Sequence, residues 1–438
     1  MWTPILDDRS EREARSAVED LARQIPVEVS AADVEPSLGG GALGRLLFHE
    51  CHARVRADGP IPRTLAASWE SLRNRLSVAT VSDRCRLYPD LLGIAWARAH
   101  VDSDVTEPDL EDPLDALDED LPSQVRFHEE RGEFDVIRGL VGVGVYALER
   151  FPLPAARACL ELLVGALRRT AVETDHGVAW RSRAPEGSWQ KKFSGDRPYL
   201  DLGVAHGVPG VIAFLAEVCA AGVAVRESSA LLESAVSWLL AQRLPRASGP
   251  SFPSLLVEGV DPRPTSAAWC YGDIGIAGAL LHAARCVGEG GWERQALEIA
   301  RGLLPMAPEE AGMHDACLCH GAAGIAHVYN RIFQATRGEE FLAGARRWFR
   351  YTLDMRRPGE GLGGFLTATV DEAGNPALAE QDGFLVGASG TGLALLAAFS
   401  DVEPRWDRVL MLSGPSGAPM STPKGRWERI GEPARGRS

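Results

Sequence analysis

A short glycine motif recurs along this chain, and its repetition limits the folds open to the chain more than any other property. Six copies have the form Gly-x-x-Gly, and each is followed by an apolar run of helical length; they begin at residues 41, 139, 207, 272, 321 and 387. A degenerate seventh copy begins at Asp90 and keeps Gly93. Successive copies are 49, 49, 68, 65, 49 and 66 residues apart, which is enough for two helices and their connections.

Each repeat contains two kinds of helical pattern. The run after each motif is apolar nearly all round, which is typical of a helix buried on several sides. Between the motifs, apolar residues recur at intervals of three and four among Arg and Glu, as a helix buried on one face requires. The clearest of these second patterns cover residues 64–79, 156–172, 229–244, 293–304 and 339–353.

The motifs indicate how the helices are arranged. Glycines three residues apart share one face of a helical first turn, and their missing side chains allow close approach of a neighbouring backbone. If the inner helices form a closed ring, their N-terminal ends and free amide groups converge on one cavity. We therefore predict an all-α fold, an α/α toroid of about seven helix hairpins in inner and outer layers. Short strands are expected only near 178–183 and 365–370.

Two segments interrupt this pattern. We expect residues 1–412 to form a single toroid domain. Residues 102–120 contain ten Asp or Glu and no Lys or Arg, so 102–133 is predicted to be a solvated acidic insertion. Residues 413–438 are rich in Gly, Pro, Ser and Arg and are predicted to be a flexible tail.

Composition excludes several classes of function. The chain has 60 acidic and 46 basic residues, a net charge of −14, which argues against nucleic acid as a partner. No apolar run approaches the ~18 residues of a membrane span, and the N-terminus lacks a secretory apolar core. We therefore expect a cytoplasmic protein, in which the eight Cys are thiols or ligands rather than disulfides.

The residues just before the glycine motifs carry the candidate metal chemistry, because they would lie at the rim of the cavity. Cys270 and Cys319 occupy equivalent positions in two repeats, and His320 follows Cys319. Two Cys and one His are a plausible zinc set with a fourth position open, the arrangement of a catalytic site. The alternative is two buried thiols and a capping His. Cys317 is a further thiol that would close the site if it were a fourth ligand.

Two more rim residues suggest acid–base chemistry. His206 precedes Gly207 and has a side chain that titrates near neutrality, so beside a metal it becomes a candidate acid or base. Asp135 precedes the motif at 139 and would orient His206 or share its proton. The alternatives are a locally bonded His and a helix-capping Asp.

With these residues identified, the chain resembles the lanthionine synthetase C-like family, the cyclases of lanthipeptide (lantibiotic) biosynthesis. The resemblance spans about residues 36–412. It is carried by WCYG at 269–272 together with CHG at 319–321, and by AHGVPG at 205–210, FDVIRGLVG at 134–142 and EPRWDRVLML at 403–412.

The resemblance implies an α/α toroid with Zn²⁺ in the central cavity. It implies that the zinc ligands are Cys270, Cys319 and His320. It further implies that the reaction site is lined by Asp135, His206 and Tyr271, with Trp269 beside them in the substrate pocket.

The implied reaction forms (methyl)lanthionine thioether rings. A Cys thiol of a dehydrated precursor peptide with its leader takes the open zinc position and becomes a thiolate. It adds to the β-carbon of dehydroalanine or dehydrobutyrine in a Michael addition, and His206, oriented by Asp135, protonates the α-carbon. The implied partners are that peptide, a dehydratase and an exporter of the same pathway, through which the protein would lie peripheral to a membrane.

One departure from the family keeps alternatives open. Such cyclases often carry an Arg four residues before the first zinc Cys, where this chain has Ser266; Arg263 is near but out of register. One alternative is a non-catalytic module of this fold that binds peptide or glutathione. Another is a different toroid enzyme, such as a zinc prenyltransferase or a glycan-cleaving enzyme.

Overall fold

A computed structural model of the chain describes residues 1–29, 37–56, 63–78, 85–102, 112, 114–245, 249–311, 313–370 and 375–415. One helix follows each of the seven glycine motifs. These inner helices are α2 (Ala42–Arg56), α4 (Leu91–Asp102), α6 (Leu140–Arg150), α9 (Val208–Ala220), α11 (Asp273–Val287), α13 (Ala322–Thr336) and α15 (Ala388–Phe399). The outer helices are α1 (Asp8–Gln24), α3 (Arg63–Val78), α5 (Asp115–Arg131), α7 (Pro154–Thr170), α10 (Val225–Ala241), α12 (Gly290–Leu303) and α14 (Glu339–Asp354).

The inner helices close into a ring. Each contacts the next in chain order, and α15, the last, contacts α2, the first. Helix α9 shows why they lie inside, since every residue from Val208 to Cys219 is buried. Helix α14 shows the outer pattern, with Phe341, Ala345 and Trp348 on its buried face. The predicted toroid is confirmed, and the five outer helices predicted from periodicity are all present.

The glycine motifs act through close backbone contact, as predicted. At the second glycine of a motif, a Cβ atom would collide with the carbonyl oxygen six residues earlier; this holds for Gly142, Gly275 and Gly324. The preceding turns are also joined between repeats. Leu385 donates its amide hydrogen to Gly39 at 3.0 Å, and similar bonds run from Cys270 to Cys319 and from Cys319 to Leu385. The N-terminal ends of neighbouring inner helices are therefore held together at one end of the ring.

The expectation of an acidic insertion over 102–133 is wrong for residues 115–131, which form the outer helix α5. Leu117 and Leu121 are buried, and α5 packs against α6 and α7. Asp118, one of the ten acidic residues, is also buried and bonds Tyr146 and Arg150. Residues 103–111 and 113, and the predicted tail from 416 onward, lie outside the described residues.

Helix α1 was not predicted, and it completes the outer layer. Asp7 caps it by accepting a hydrogen bond from the Ser10 amide at 2.8 Å. The chain just before it is fixed to the last inner helix, because Ile5 donates its amide hydrogen to the Ala398 carbonyl at 2.8 Å. Helix α1 packs against α14 and α15, so the two ends of the toroid meet there.

The connections contain short antiparallel strands. Their bounds are β1 (Val172–Thr174), β2 (Gly177–Ala179), β3 (Arg181–Ser182), β4 (Tyr199–Asp201), β5 (Leu255–Val257), β6 (Thr367–Val370) and β7 (Pro376–Ala379). Strand β1 pairs with β2, β3–β4–β5 form one sheet, and β6 pairs with β7, so both predicted strand regions are present. A six-residue helix, α8 (Trp189–Ser194), lies between β3 and β4, and 3₁₀ helices cover Pro308–Ala311 and Arg405–Leu410. Among the described residues, no helix has both the length and the apolarity that crossing a membrane requires.

Candidate active site

The three predicted ligands lie together where α11 and α13 begin. The two sulfur atoms of Cys270 and Cys319 and a ring nitrogen of His320 lie within 4.8 Å of one another. The turns that carry them are joined because the Cys270 amide donates a hydrogen bond to the Cys319 carbonyl at 3.1 Å. Cys270 is 9% exposed, Cys319 is half-buried and His320 is exposed. The cluster therefore has its imidazole on the more exposed side.

The cluster favours negative charge on sulfur. The hydrogen bond from the Cys319 thiol, together with the His320 ring, outweighs burial and lowers the pKa of Cys270 to about 5. The same bond and burial hold the pKa of Cys319 well above its usual range. Hydrogen bonds to Cys270 and to Cys317 raise the pKa of His320 to about 11. A sulfur anion beside an imidazole is a soft donor set that suits a transition metal.

The donor set fits Zn²⁺. Thiolate sulfur and imidazole nitrogen bind zinc at about 2.3 and 2.0 Å, so tetrahedral neighbours are about 3.3–3.8 Å apart. The donor separations here, all within 4.8 Å, require only small shifts to reach that geometry. Three protein ligands leave one position for a substrate atom, as in catalytic zinc sites.

A second donor group shares His320 but is less suited to a metal. Asp315, Cys317 and His320 also have ligand atoms within 4.8 Å of one another. However, the two Asp315 oxygens each accept a backbone hydrogen bond, from the Cys317 amide at 3.0 Å and from the Ala368 amide at 2.9 Å. Cys317 itself is 2% exposed. These contacts favour Cys317 as a buried neighbour of the site.

Asp135 and His206 form a hydrogen-bonded pair. Nδ1 of His206 lies 2.8 Å from Oδ2 of Asp135, and the side chains are 23% and 13% exposed. Burial opposes the charge on His206, but the adjacent carboxylate outweighs it and raises the pKa of His206. Burial likewise opposes charge on Asp135, yet the His206 ring lowers the pKa of Asp135. The pair therefore favours the protonated imidazole beside an ionised carboxylate.

Tyr271 stands beside this pair and connects it to a residue that sequence reasoning missed. The Tyr271 and His206 rings are stacked, with centroids 6.2 Å apart. The Tyr271 hydroxyl donates to Oδ2 of Asp201 at 2.8 Å and accepts from the Gln190 amide at 3.1 Å. Asp201 is completely buried, and burial raises its pKa to about 7. Asp135 was identified because it lies four residues before the glycine motif at Gly139. Asp201 lies six residues before Gly207, so the same criterion does not identify it.

The two halves of the site are in direct contact. At Gly203, a Cβ atom would collide with the Cys270 carbonyl and the Tyr271 ring. The loop that leads to His206 therefore packs on the turn that carries Cys270. The structure thus brings the predicted metal ligands, the Asp135–His206 pair and Tyr271 to one place.

Trp269 is placed differently from the prediction. It is 1% exposed, and its indole N–H donates to the Leu410 carbonyl at 3.0 Å. It therefore does not line the substrate pocket; it fixes the turn before Cys270 to the C-terminal segment. A side chain that does face the site is Trp189 of α8, which is 39% exposed and packs edge-on against Tyr271 at 4.9 Å.

The position four residues before Cys270 has a structural role here. Ser266 donates its hydroxyl hydrogen to the Tyr271 carbonyl at 2.7 Å. Arg263 is exposed, whereas Arg138 is half-buried with its guanidinium 3.9 Å from Oδ2 of Asp135. The cation beside the acid–base pair is therefore Arg138.

Comparison with known proteins agrees with this architecture. Among solved structures the chain is similar to nisin cyclase, with 19% identity, a TM-score of 0.69, and coverage of 93% of this chain and 98% of that chain. It also aligns with cellobiose 2-epimerase from Bacillus thermoamylovorans, with 11% identity, a TM-score of 0.48, and coverage of 89% and 99%. The family model described as lanthionine synthetase C-like protein matches residues 32–411. Because that match covers most of the chain, the chain belongs to the lanthionine synthetase C-like family.

Proposed function

We propose that this protein is a zinc-dependent lanthipeptide cyclase that forms (methyl)lanthionine rings. In this reaction a peptide Cys thiolate adds to the β-carbon of dehydroalanine or dehydrobutyrine in the same peptide. The observation that carries the proposal is the Cys270–Cys319–His320 donor set beside a hydrogen-bonded Asp135–His206 pair. Membership of the family supports a peptide substrate. That the protein has a dehydratase and an exporter as partners is still a prediction, which rests on the family resemblance.

Cys270, Cys319 and His320 would hold the zinc ion. When bound there, zinc supplies Lewis-acid chemistry that lowers the pKa of a coordinated thiol. Cys270 lies in the wall at 9% exposure, while His320 is exposed, so a substrate would approach the three side chains from the His320 side. The backbone bond between Cys270 and Cys319 holds the two sulfurs in place.

His206 would supply the proton that completes the addition. Attack at the β-carbon leaves a carbanion, stabilised as an enolate, at the α-carbon, and this carbon must gain one proton. Nδ1 of His206 is bonded to Asp135, so the proton for the substrate is the one on Nε2. Asp135 orients the ring and favours its protonated form, and the Arg138 guanidinium, 3.9 Å from Oδ2 of Asp135, adds a positive charge beside the pair.

The surroundings of Tyr271 suit a peptide chain. Asp201 and Gln190 fix the Tyr271 hydroxyl from two sides. Trp189 and Phe193 of α8 are 39% and 56% exposed and in edge-on contact with each other. These rings form an exposed aromatic surface next to the site, of the kind that packs on peptide side chains.

The proposal is tested by counting thiols on a peptide that contains both dehydroalanine and Cys. Cyclisation does not change the peptide mass, so thiols are alkylated after incubation and counted by mass spectrometry. We expect the zinc-loaded protein to consume one thiol for each ring, at a rate well above that without protein. Binding of the peptide without thiol consumption would contradict the proposal and indicate a non-catalytic binding module.

A further inference from the structure

A second cluster of potential metal ligands lies at the opposite end of the inner helices. Glu217 is in the last turn of α9, and His282 and Cys286 are one turn apart on α11. The Cys286 sulfur lies 3.7 Å from Oε1 of Glu217 and 3.7 Å from Nε2 of His282, and His282 contacts the same Glu217 oxygen. Between Asp273 and Cys286 the helix rises about 20 Å, so this cluster is distinct from the Cys270 site.

The electrostatics of this place favour a cation. Helices α9 and α11 both end here, and the free carbonyls of a helix C-terminus carry partial negative charge. Glu217 adds a carboxylate that is only 5% exposed, and the last turn of α9 contains no basic residue. Arg285, in the last turn of α11, is paired with Glu293 at 2.8 Å. Within the described part of the chain, the ion-pair partner found for Glu217 is His282.

The ligand atoms of these three side chains indicate which cation would bind. His282 and Cys286 are four residues apart and share one helix face, so both reach toward Glu217 on the neighbouring helix. Imidazole nitrogen, thiolate sulfur and carboxylate oxygen are all zinc ligands, whereas Mg²⁺ and Ca²⁺ prefer oxygen alone. The two 3.7 Å separations match neighbouring donors of a tetrahedral site, which are about 3.3–3.8 Å apart, and metal binding would move the closer His282 and Glu217 donors apart.

We infer that Glu217, His282 and Cys286 form a second binding site, for a divalent transition metal such as Zn²⁺. Metal binding replaces the Cys286 thiol proton, which passes to solvent. The ion would link the C-terminal ends of α9 and α11. The segment at Gly414 packs on the Glu217 carboxylate, where a Cβ atom would collide with it, so this segment would be held as well.

The inference is tested by titrating Co²⁺ into the full chain, because cobalt bound to thiolate absorbs in the near ultraviolet. We expect two equivalents to bind to the wild type, one to Cys319→Ala, and none to Cys319→Ala/Cys286→Ser. If the wild type binds a single equivalent that Cys319→Ala loses, the second site is overturned and the proposed cyclase site stands. If a single equivalent persists in Cys319→Ala and is lost with Cys286→Ser, the second site stands and the cyclase site fails.

A nearby thiol provides the matched control. Cys219 is on α9, but its sulfur donates to the Ser228 hydroxyl at 3.1 Å, outside the donor set. Cys319→Ala/Cys219→Ala should therefore still bind one equivalent of Co²⁺, and loss of that equivalent would contradict the assignment. Thermal unfolding gives a readout that does not depend on Cys286. Zn²⁺ should raise the Tm of Cys319→Ala but not that of Cys319→Ala/His282→Gln, and an equal rise in both would overturn the site.

Discussion

Asp135 and His206 show how the protonation state of the site is set by two side chains from different repeats. His206 is mostly buried, which by itself favours the neutral imidazole, and the carboxylate 2.8 Å from Nδ1 reverses that preference. The pKa of His206 is raised above its usual value of about 6.5. The acid form therefore persists to higher pH than in an unperturbed histidine, and it is lost as pH rises through this raised pKa.

The pH–rate profile of Asp135→Asn tests this account. Without the carboxylate, burial dominates and the pKa of His206 falls below its usual value. The alkaline limb of kcat should then move to lower pH. We expect the variant to lose more activity at pH 8 than at pH 6, relative to the wild type. An alkaline limb that stays at the wild-type pH would show that His206 is not the acid that Asp135 controls.

At the scale of secondary-structure elements, helix α5 shows how an acidic segment packs against the inner ring of helices. Asp118 accepts hydrogen bonds from the Tyr146 hydroxyl at 2.6 Å and from the Arg150 guanidinium at 2.6 and 2.9 Å. Its side chain is 5% exposed and that of Arg150 is 10% exposed. The carboxylate therefore joins the outer helix α5 to the inner helix α6, rather than facing solvent.

Replacing Asp118 measures the strength of this link. Asp118→Ala removes one of the carboxylates that pair with Arg150, which keeps Asp112, and leaves the Tyr146 hydroxyl without this partner, so the free energy of unfolding should fall by about 1–3 kcal/mol. The matched control is Glu119→Ala on the exposed face of the same helix, which should change it by less than about 0.5 kcal/mol. Chemical denaturation of both variants makes the comparison. Equal effects of the two substitutions would mean that α5 is not anchored through Asp118.

Helix α5 also illustrates which helices can be predicted from the sequence and which cannot. Inner helices were predictable because seven of them share one motif, and a glycine there meets a backbone carbonyl. Helix α5 was not predictable, because its many carboxylates obscure the spacing of Leu117 and Leu121. Helix α1 was missed for a similar reason, since it is highly charged outside its buried Ala14, Val18 and Leu21.

The candidate site likewise contains residues that the sequence identified and residues that only the structure identified. The proposed metal ligands and His206 could be singled out because they precede glycine motifs in repeat-equivalent positions, and Asp135 because it precedes the motif at Gly139. Asp201 reaches Tyr271 from strand β4, and Trp189 reaches it from α8, both within the long connection between α7 and α9, away from the glycine motifs. Trp269 has the expected position in sequence, but its side chain turns into the core, which only packing decides.

The whole molecule matters because the site is assembled from separate repeats. Asp135 precedes α6, His206 precedes α9, Cys270 precedes α11, and Cys319 and His320 precede α13. Ring closure brings these helix ends together, and backbone hydrogen bonds between neighbouring turns fix them. The candidate site therefore depends on the closed ring and on no single segment.

The most direct test of the account compares two cysteines that are two residues apart in one turn. The measurement is the initial rate of thiol loss from the same dehydrated peptide for wild type, Cys319→Ala and Cys317→Ala. Cys319 is assigned as a ligand, so its loss should lower the rate more than about a hundredfold. Cys317 is assigned as a buried neighbour, so Cys317→Ala should stay close to the wild-type rate. A wild-type rate in Cys319→Ala would contradict the proposed zinc-dependent cyclase.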